Sequence, residues 1–183
     1  MIRSLLAAFA ATALCVSFSM PAQAADSKIG IADPRYIATQ SDPGKEAEKI
    51  LESRFGKERR QLEQQSNDVK KQAEDFQKQA PALSEKARAE RAAKLQQTFQ
   101  DIDNRGGAFA QRVSRVQQEI NTQMNDVLRT ACINYAQKNG FDVILDASVV
   151  MFRNPANDVT DCVIQEVNKV WKSKGGKFKI TSK

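Results

Sequence analysis

The sequence predicts an α+β protein that is mostly α. A long antiparallel coiled-coil helical hairpin rises from a small body of short strands and one helix, and that body needs other copies of the chain to become solid. Three observations carry this. Leu95, Phe99, Ile102, Gly106, Phe109, Val113, Val116 and Ile120 are spaced alternately four and three residues apart, which places them on one helical stripe. Phe55, Leu62, Val69, Phe76 and Leu83 recur every seven residues on an earlier stretch, with Pro81 between the two patterns. Short alternating apolar stretches flank the whole at Lys28–Asp33 and Phe141–Asp146.

Met1–Ala24 has the parts of a secretory leader. Arg3 gives a positive start, Leu5–Phe18 is an apolar run, and Ala22-Gln23-Ala24 offers small residues for cleavage after Ala24. Leu14 before Cys15 argues against lipid attachment there. No later stretch is apolar enough to span a membrane. The expected product is exported and starts at residue 25; the leader alone allows secretion as well as the periplasm, and the rest of the reading favours the periplasm.

Ile29 and Ile31 share one face of a first short strand. Arg35–Thr39 suits a helical turn, and Asp42-Pro43-Gly44 a helix start. Residues 25–43 and 140–171 are read as the body, and 44–139 as the arm. The outgoing helix runs to about Ala80, roughly 37 residues or ~55 Å. Its intervening seam positions Arg59, Ser66, Ala73 and Ala80 are polar or small, so this seam is the weaker one. Pro81 stops the helix because it lacks an N–H and clashes with the preceding turn, so the tip falls near residues 80–84. Ser84 caps a return helix from Glu85 to about Lys138, and Asn139-Gly140 stops it. Leu128, Ile133 and Tyr135 are expected to pack its base on the body. Within this helix Gly106-Gly107 costs about 2 kcal/mol relative to alanine. That cost suggests either close approach of the facing helix or a hinge.

Phe141–Asp146 and Val149–Phe152 read as two more strands. Asp158 or Thr160 caps a last helix to about Trp171, with Val159, Val163, Val167, Val170 and Trp171 apolar. Residues 172–183 are basic, contain glycine and are expected to be disordered. Three short strands and a helix bury too small a fraction of their surface to stand alone, and open strand edges invite pairing. Ile29, Ile31, Val143, Leu145, Val150 and Phe152 are therefore the candidate residues of a sheet or barrel shared between copies.

The formal charge of the chain is +6, and six lysines with no acid lie between Lys169 and Lys183. Such a balance favours anionic lipid, nucleic acid or acidic polypeptide as partner. Histidine is absent, which removes histidine acid–base chemistry and most zinc sites. Gly175-Gly176-Lys177 is not a phosphate-cradling loop. Acids on the arms alternate with bases as salt-bridge partners do. No catalytic residue, cofactor or metal is expected, and no ATP-dependent mechanism. Cys132 and Cys162 lie on different expected helices. They either form a disulfide, which an oxidising compartment permits, or remain two free thiols.

The chain resembles the Skp/OmpH family of periplasmic chaperones. The resemblance rests on Ile29-Gly30-Ile31-Ala32-Asp33, Arg35-Tyr36-Ile37, Gly44-Lys45, Leu51-Glu52 and Phe55 near the start. Near the end it rests on Asp142-Val143-Ile144-Leu145-Asp146, Val150, Asp158-Val159-Thr160 and Val163-Ile164. The resemblance implies a homotrimer with a shared small β-barrel body and three arms around a cavity. Unfolded outer-membrane proteins would be held there without ATP. The tail after Trp171 and the Gly106-Gly107 pair depart from the family pattern.

On this reading Lys70, Lys71, Lys86, Arg88, Arg91 and Lys94 attract acidic clients or anionic lipid, and Phe76, Leu83 and Phe99 grip client side chains. Many weak contacts in a cavity hold tightly together. The same apolar residues also serve as hairpin seam, and the basic ones as ordinary solvated surface. The rival reading is a structural coiled-coil tether of the cell envelope. Specific nucleic-acid binding is not expected, because no recognition module or interleaved aromatics occur.

Overall fold

The computed structural model describes residues 27–182. The expected leader lies outside them. In chain order the elements are β1 (Ile29–Ala32), α1 (Pro34–Gln40), α2 (Asp42–Gln79), α3 (Glu85–Asn139), β2 (Val143–Asp146) and α4 (Thr160–Ser173). The molecule is mostly helical with one small sheet. Among the described residues no helix is long and apolar enough to cross a membrane.

The turn into the helices is built from short-range caps. Asp33 accepts hydrogen bonds from the Arg35 and Tyr36 amides, and Pro34 opens α1, where its missing N–H costs nothing. α2 follows one residue later. Its cap is Ser41, whose hydroxyl takes the Gly44 amide, and Asp42 is already helical. Gly44 is required at this corner: a Cβ there would lie 1.8 Å from the Ala38 carbonyl oxygen.

α2 and α3 have 38 and 55 residues, about 57 and 83 Å at 1.5 Å per residue. A single-turn 3-10 segment at Ala80–Ala82 joins them, and Ser84 caps α3 through the Ala87 amide. Contacts between the two helices run in opposite chain sense. Gln79 meets Arg91 at 2.7 Å near the turn, Glu58 pairs with Arg112 at 2.5 Å, and the Phe55 and Phe109 rings meet edge to face at 5.9 Å. The seam tightens towards the base. Val116 and Ile120 are buried, whereas Leu95, Ile102 and Val113 are only half-buried and Phe99 is exposed. α3 ends at Gly140, which takes the left-handed conformation at φ 66° that glycine tolerates best.

The core lies at the base. Val116, Ile120, Met124, Val127 and Ala131 of α3 meet Val163, Val167, Val170 and Trp171 of α4, with Ile37, Ala47 and Phe55 closing the side. This alters the expected picture. The roots of the long helices supply the apolar surface that strands and α4 lack, so one chain buries a continuous core. Of the base contacts read from the sequence, Leu128 and Tyr135 are half-buried, but Ile133 is exposed.

β1 and β2 pair in parallel, Ile29 with Val143 and Ile31 with Leu145. The whole helix pair forms the crossover that a parallel connection needs. On the other side of β1, Ile31 bridges to Asp158, and its carbonyl accepts the Val159 amide at 2.8 Å. Gly30 lets these layers close: a Cβ would meet Val159 and the Phe141 ring at 3.1–3.2 Å. Val149–Phe152 is not a strand. Ala147–Val149 forms a 3-10 turn and the next residues are irregular. A strand needs a hydrogen-bonding neighbour, and none is paired with this stretch among the described residues.

The basic tail is also not disordered as expected. Gly175 and Gly176 have φ of 98° and 65°, and the Gly176 amide returns to the Trp171 carbonyl. This reversal brings Phe178 onto Trp171 with centroids 4.5 Å apart, and Phe178 is buried. The apolar residues within the tail pin it against α3 and α4.

Candidate functional site

Two surfaces draw together the residues singled out from the sequence. The first is the distal part of the helix pair. Near the turn, Phe76, Gln79, Arg91, Lys94 and Leu95 line an open cleft of about 350 Å³. It combines an apolar floor with two cations and the carboxylate of Asp75. Arg91 also bonds Gln79, and Arg88 donates to the Ala80 and Leu83 carbonyls, so these two side chains brace the turn as well as charge it. Leu83 is half-buried beneath them. Lys71 and Lys86 are exposed and line neither this cleft nor the next, and Phe99 is exposed at 42%.

Further down, Leu62, Ile102 and Phe109 floor a wider cleft of about 630 Å³, edged by Arg59, Glu63, Lys70 and Asp103. Gly106 and Gly107 form part of its wall. A Cβ on either glycine would meet nothing within 4 Å. Close approach of the facing helix within the chain is therefore not what these glycines serve, and α3 passes through them unbroken.

The second surface is the free face and edge of the small sheet. Ile29, Val143 and Leu145 expose apolar side chains there, and the irregular stretch beyond β2 carries Val149 at 75% and Phe152 at 85% exposure, with Met151 fully exposed. Of the proposed body residues, Ile31 is buried and Val150 half-buried within the single chain. Val149 and Met151 belong to the exposed surface instead. Reading 149–152 as a strand hid them, since a strand would turn alternate residues inward. Their runs of adjacent apolar side chains were the available signal.

Polar groups fix the frame around this face. Asp158 accepts the Thr160 hydroxyl and amide and pairs with Arg153 at 3.0 Å. The Thr160 bonds, with Arg153 adding its charge, hold the Asp158 carboxyl below its ordinary range. The two cysteines are free and no disulfide joins them: Cys132 is half-buried and Cys162 is exposed. Burial pushes the Cys132 thiol up, which makes it less nucleophilic. Among the described residues no cluster of acids and cysteines is placed to hold a metal ion.

One group of contacts had no counterpart in the sequence reading. The Glu119 carboxylate of α3 accepts the Thr181 amide at 2.7 Å, the Ser182 amide at 2.8 Å and the Thr181 hydroxyl at 3.0 Å. Hydrogen bonds from Ser182 and Thr181 pull its pKa down to about 2.

A family model described as "Outer membrane protein (OmpH-like)" matches residues 28–167. The chain belongs to the OmpH-like family. Relatives of this OmpH-like chain include the "Chaperone protein Skp" of Yersinia enterocolitica, 25% identical over 158 residues, which cover 86% of this chain and 95% of the relative. The protein of the same description from Photorhabdus laumondii is 24% identical over 84% of this chain and 93% of its own length. Among solved structures, a putative OmpH-like outer membrane chaperone from Caulobacter crescentus CB15 superposes with a TM-score of 0.57 at 19% identity. It covers 86% of this chain and 90% of that one, a likeness of fold. The OmpH-like match stops before Trp171, so the packed tail lies outside it.

Proposed function

We propose that this protein is an ATP-independent, non-enzymatic holdase of the periplasm. It binds unfolded outer-membrane proteins between helical arms and keeps them from aggregating. One observation carries the proposal most directly: a chain with its own core still exposes Ile29, Val143, Leu145, Val149, Met151 and Phe152 in one region beside an open strand edge. Exposed apolar groups of this extent mark a surface that is covered in use, and an open edge favours a second copy of the same chain. Membership of the OmpH-like family and the relatives named as chaperones support a chaperone role, and the assembly proposed for it is a homotrimer with a shared β-barrel body.

Assembly through the body would point three antiparallel coiled-coil arms the same way around one space. Strand-forming clients expose alternating apolar side chains and unpaired backbone. The arm clefts offer each client half-buried Phe76 and Leu95 beside Arg91 and Lys94 near the turn, and Lys70 further down, while Leu83, Phe99, Lys71 and Lys86 add to the arm surface outside them. Single contacts of this kind are weak and release easily, while many in one cavity hold by effective concentration. The same cations give anionic lipid a second way to bind.

Dilution of a denatured outer-membrane protein, with and without this one, tests the reading. Suppressed turbidity at near-stoichiometric amounts is expected. Unchanged turbidity, with a fixed envelope partner recovered instead, would replace the holdase by a coiled-coil tether. Sedimentation of the same sample should return the mass of three chains.

A further inference from the structure

We propose that the face of α3 and α4 around Glu119, Gln123 and Trp171 is a binding site for extended polypeptide. The chain's own residues 177–182 occupy it as a resident competitor. The proposal rests on the holdase reading for the nature of its second ligand, and on the tail geometry for everything else.

The segment is bound as a strand is bound. Burial alternates along it: Phe178 is buried and Ile180 half-buried, while Lys177, Lys179 and Thr181 are exposed, the Thr181 hydroxyl turning back to Glu119. Period two is the signature of an extended chain lying on an apolar surface. The Gln123 side-chain amide both accepts the Lys179 amide and donates to the Lys179 carbonyl, each at 2.9 Å. A neighbouring strand offers the same donor–acceptor pair to one residue. Glu119 takes the Thr181 and Ser182 amides, and Arg54 of α2 donates to the Ser182 carbonyl at 3.0 Å. Most of these bonds go to main chain, with the Thr181 and Ser182 side chains adding to Glu119. The site therefore reads extended backbone with apolar residues at alternate positions, and places little demand on their identity.

That is the chemistry of a strand-forming client. Main-chain bonds supply affinity and alternate side-chain pockets supply selection in peptide recognition of this kind. The tail follows Gly175 and Gly176 in the left-handed region, and its bonds to Gln123, Glu119 and Arg54 lie beyond the turn that closes α4. Tethering raises its local concentration to roughly the millimolar range. A free peptide then competes poorly, whereas a long chain already held by the arms competes on equal terms. In the idle protein the tail covers Trp171 and the edge of the core, so the site is not a sticky patch.

The test uses the full chain carrying Phe178→Ala and Ile180→Ala, which trims two side chains from the edge of the core and leaves those of α3 and α4 unchanged; circular dichroism matching the parent confirms that the variant is folded. The probe is a fluorescent peptide of residues 175–182, with an isomer in which the two apolar residues are adjacent. Anisotropy should show the natural peptide binding the variant at least about tenfold more tightly than the parent. The isomer should bind at least about tenfold more weakly, and adding Gln123→Ala should weaken binding of the natural peptide. Equal binding of both peptides, or of parent and variant, overturns the proposal. In the unaltered protein, amide exchange at Lys179, Thr181 and Ser182 should speed up when an unfolded outer-membrane protein is bound. Unchanged protection with client bound makes the tail a brace only and leaves the holdase reading standing. Peptide binding without any suppression of aggregation does the reverse.

Discussion

Replacing Gly106 and Gly107 together by alanine should stabilise the helix pair. Both glycines sit inside α3, and a Cβ at either finds nothing within 4 Å, so no steric cost opposes the change. Each glycine in a helix interior costs about 0.8–1.0 kcal/mol relative to alanine, through backbone entropy in the unfolded chain. The sum is about 2 kcal/mol. If the pair opens separately from the body, amide exchange between residues 100 and 112 should slow by about 30-fold, since 1.4 kcal/mol is tenfold. If the chain unfolds as one unit, the midpoint should rise by ~4–8 °C for a protein of this size. Exchange by mass spectrometry and a thermal melt followed by circular dichroism distinguish these cases. A lower midpoint, or unchanged protection over this stretch, would refute the reasoning. It would mean that another chain packs where this one leaves open space.

Three further outcomes follow from the same geometry. Ile120→Ala removes a side chain only 1% exposed at the centre of the core and should cost about 2–5 kcal/mol in a urea titration. Phe152→Asp should lower the sedimenting mass while leaving helix content unchanged, because this side chain is exposed within the chain and the proposed assembly would cover it. Glu119 ties its carboxylate to the tail and has a pKa lowered from 4.5 to about 2. A depressed carboxylate pKa contributes stability above the ordinary value and loses it as pH falls through the folded one. Protection of the Thr181 and Ser182 amides should therefore hold down to about pH 4.5 and fade towards pH 2, and Glu119→Gln should abolish that dependence.

Long-period signals were legible because they need no partner to be read. The heptads located both long helices, and Pro81, Ser84 and Gly140 set their ends to within a residue or two, since caps and breakers act through local backbone chemistry. The cap of α2 slipped by one residue because Ser41 and Asp42 are both good caps and only the packing of α1 chooses between them. The tail was misread because its charge was counted and its turn was not: Gly175-Gly176 followed by Phe178 and Ile180 is a reversal leading to an apolar alternation. The clefts along the helices bring Phe76 beside Arg91 and Lys94, and Leu62 beside Gly106. Which residues share a cleft depends on the stagger of two helices, which neither periodicity contains.

The amino-acid order alone determined that this chain is a bent pair of long helices with strands at its two ends. Helical stripes, caps and breakers are short-range effects, written within a few residues of where they act. It also showed too little apolar surface in the strands and last helix to make a body by themselves. Only the tertiary structure decided where the missing surface comes from. The helix roots and Phe178 close the core, and Glu119 meets a segment 62 residues away. Contacts at such separation depend on how rigid elements dock, and docking is settled by packing over the whole chain rather than by any local run of residues.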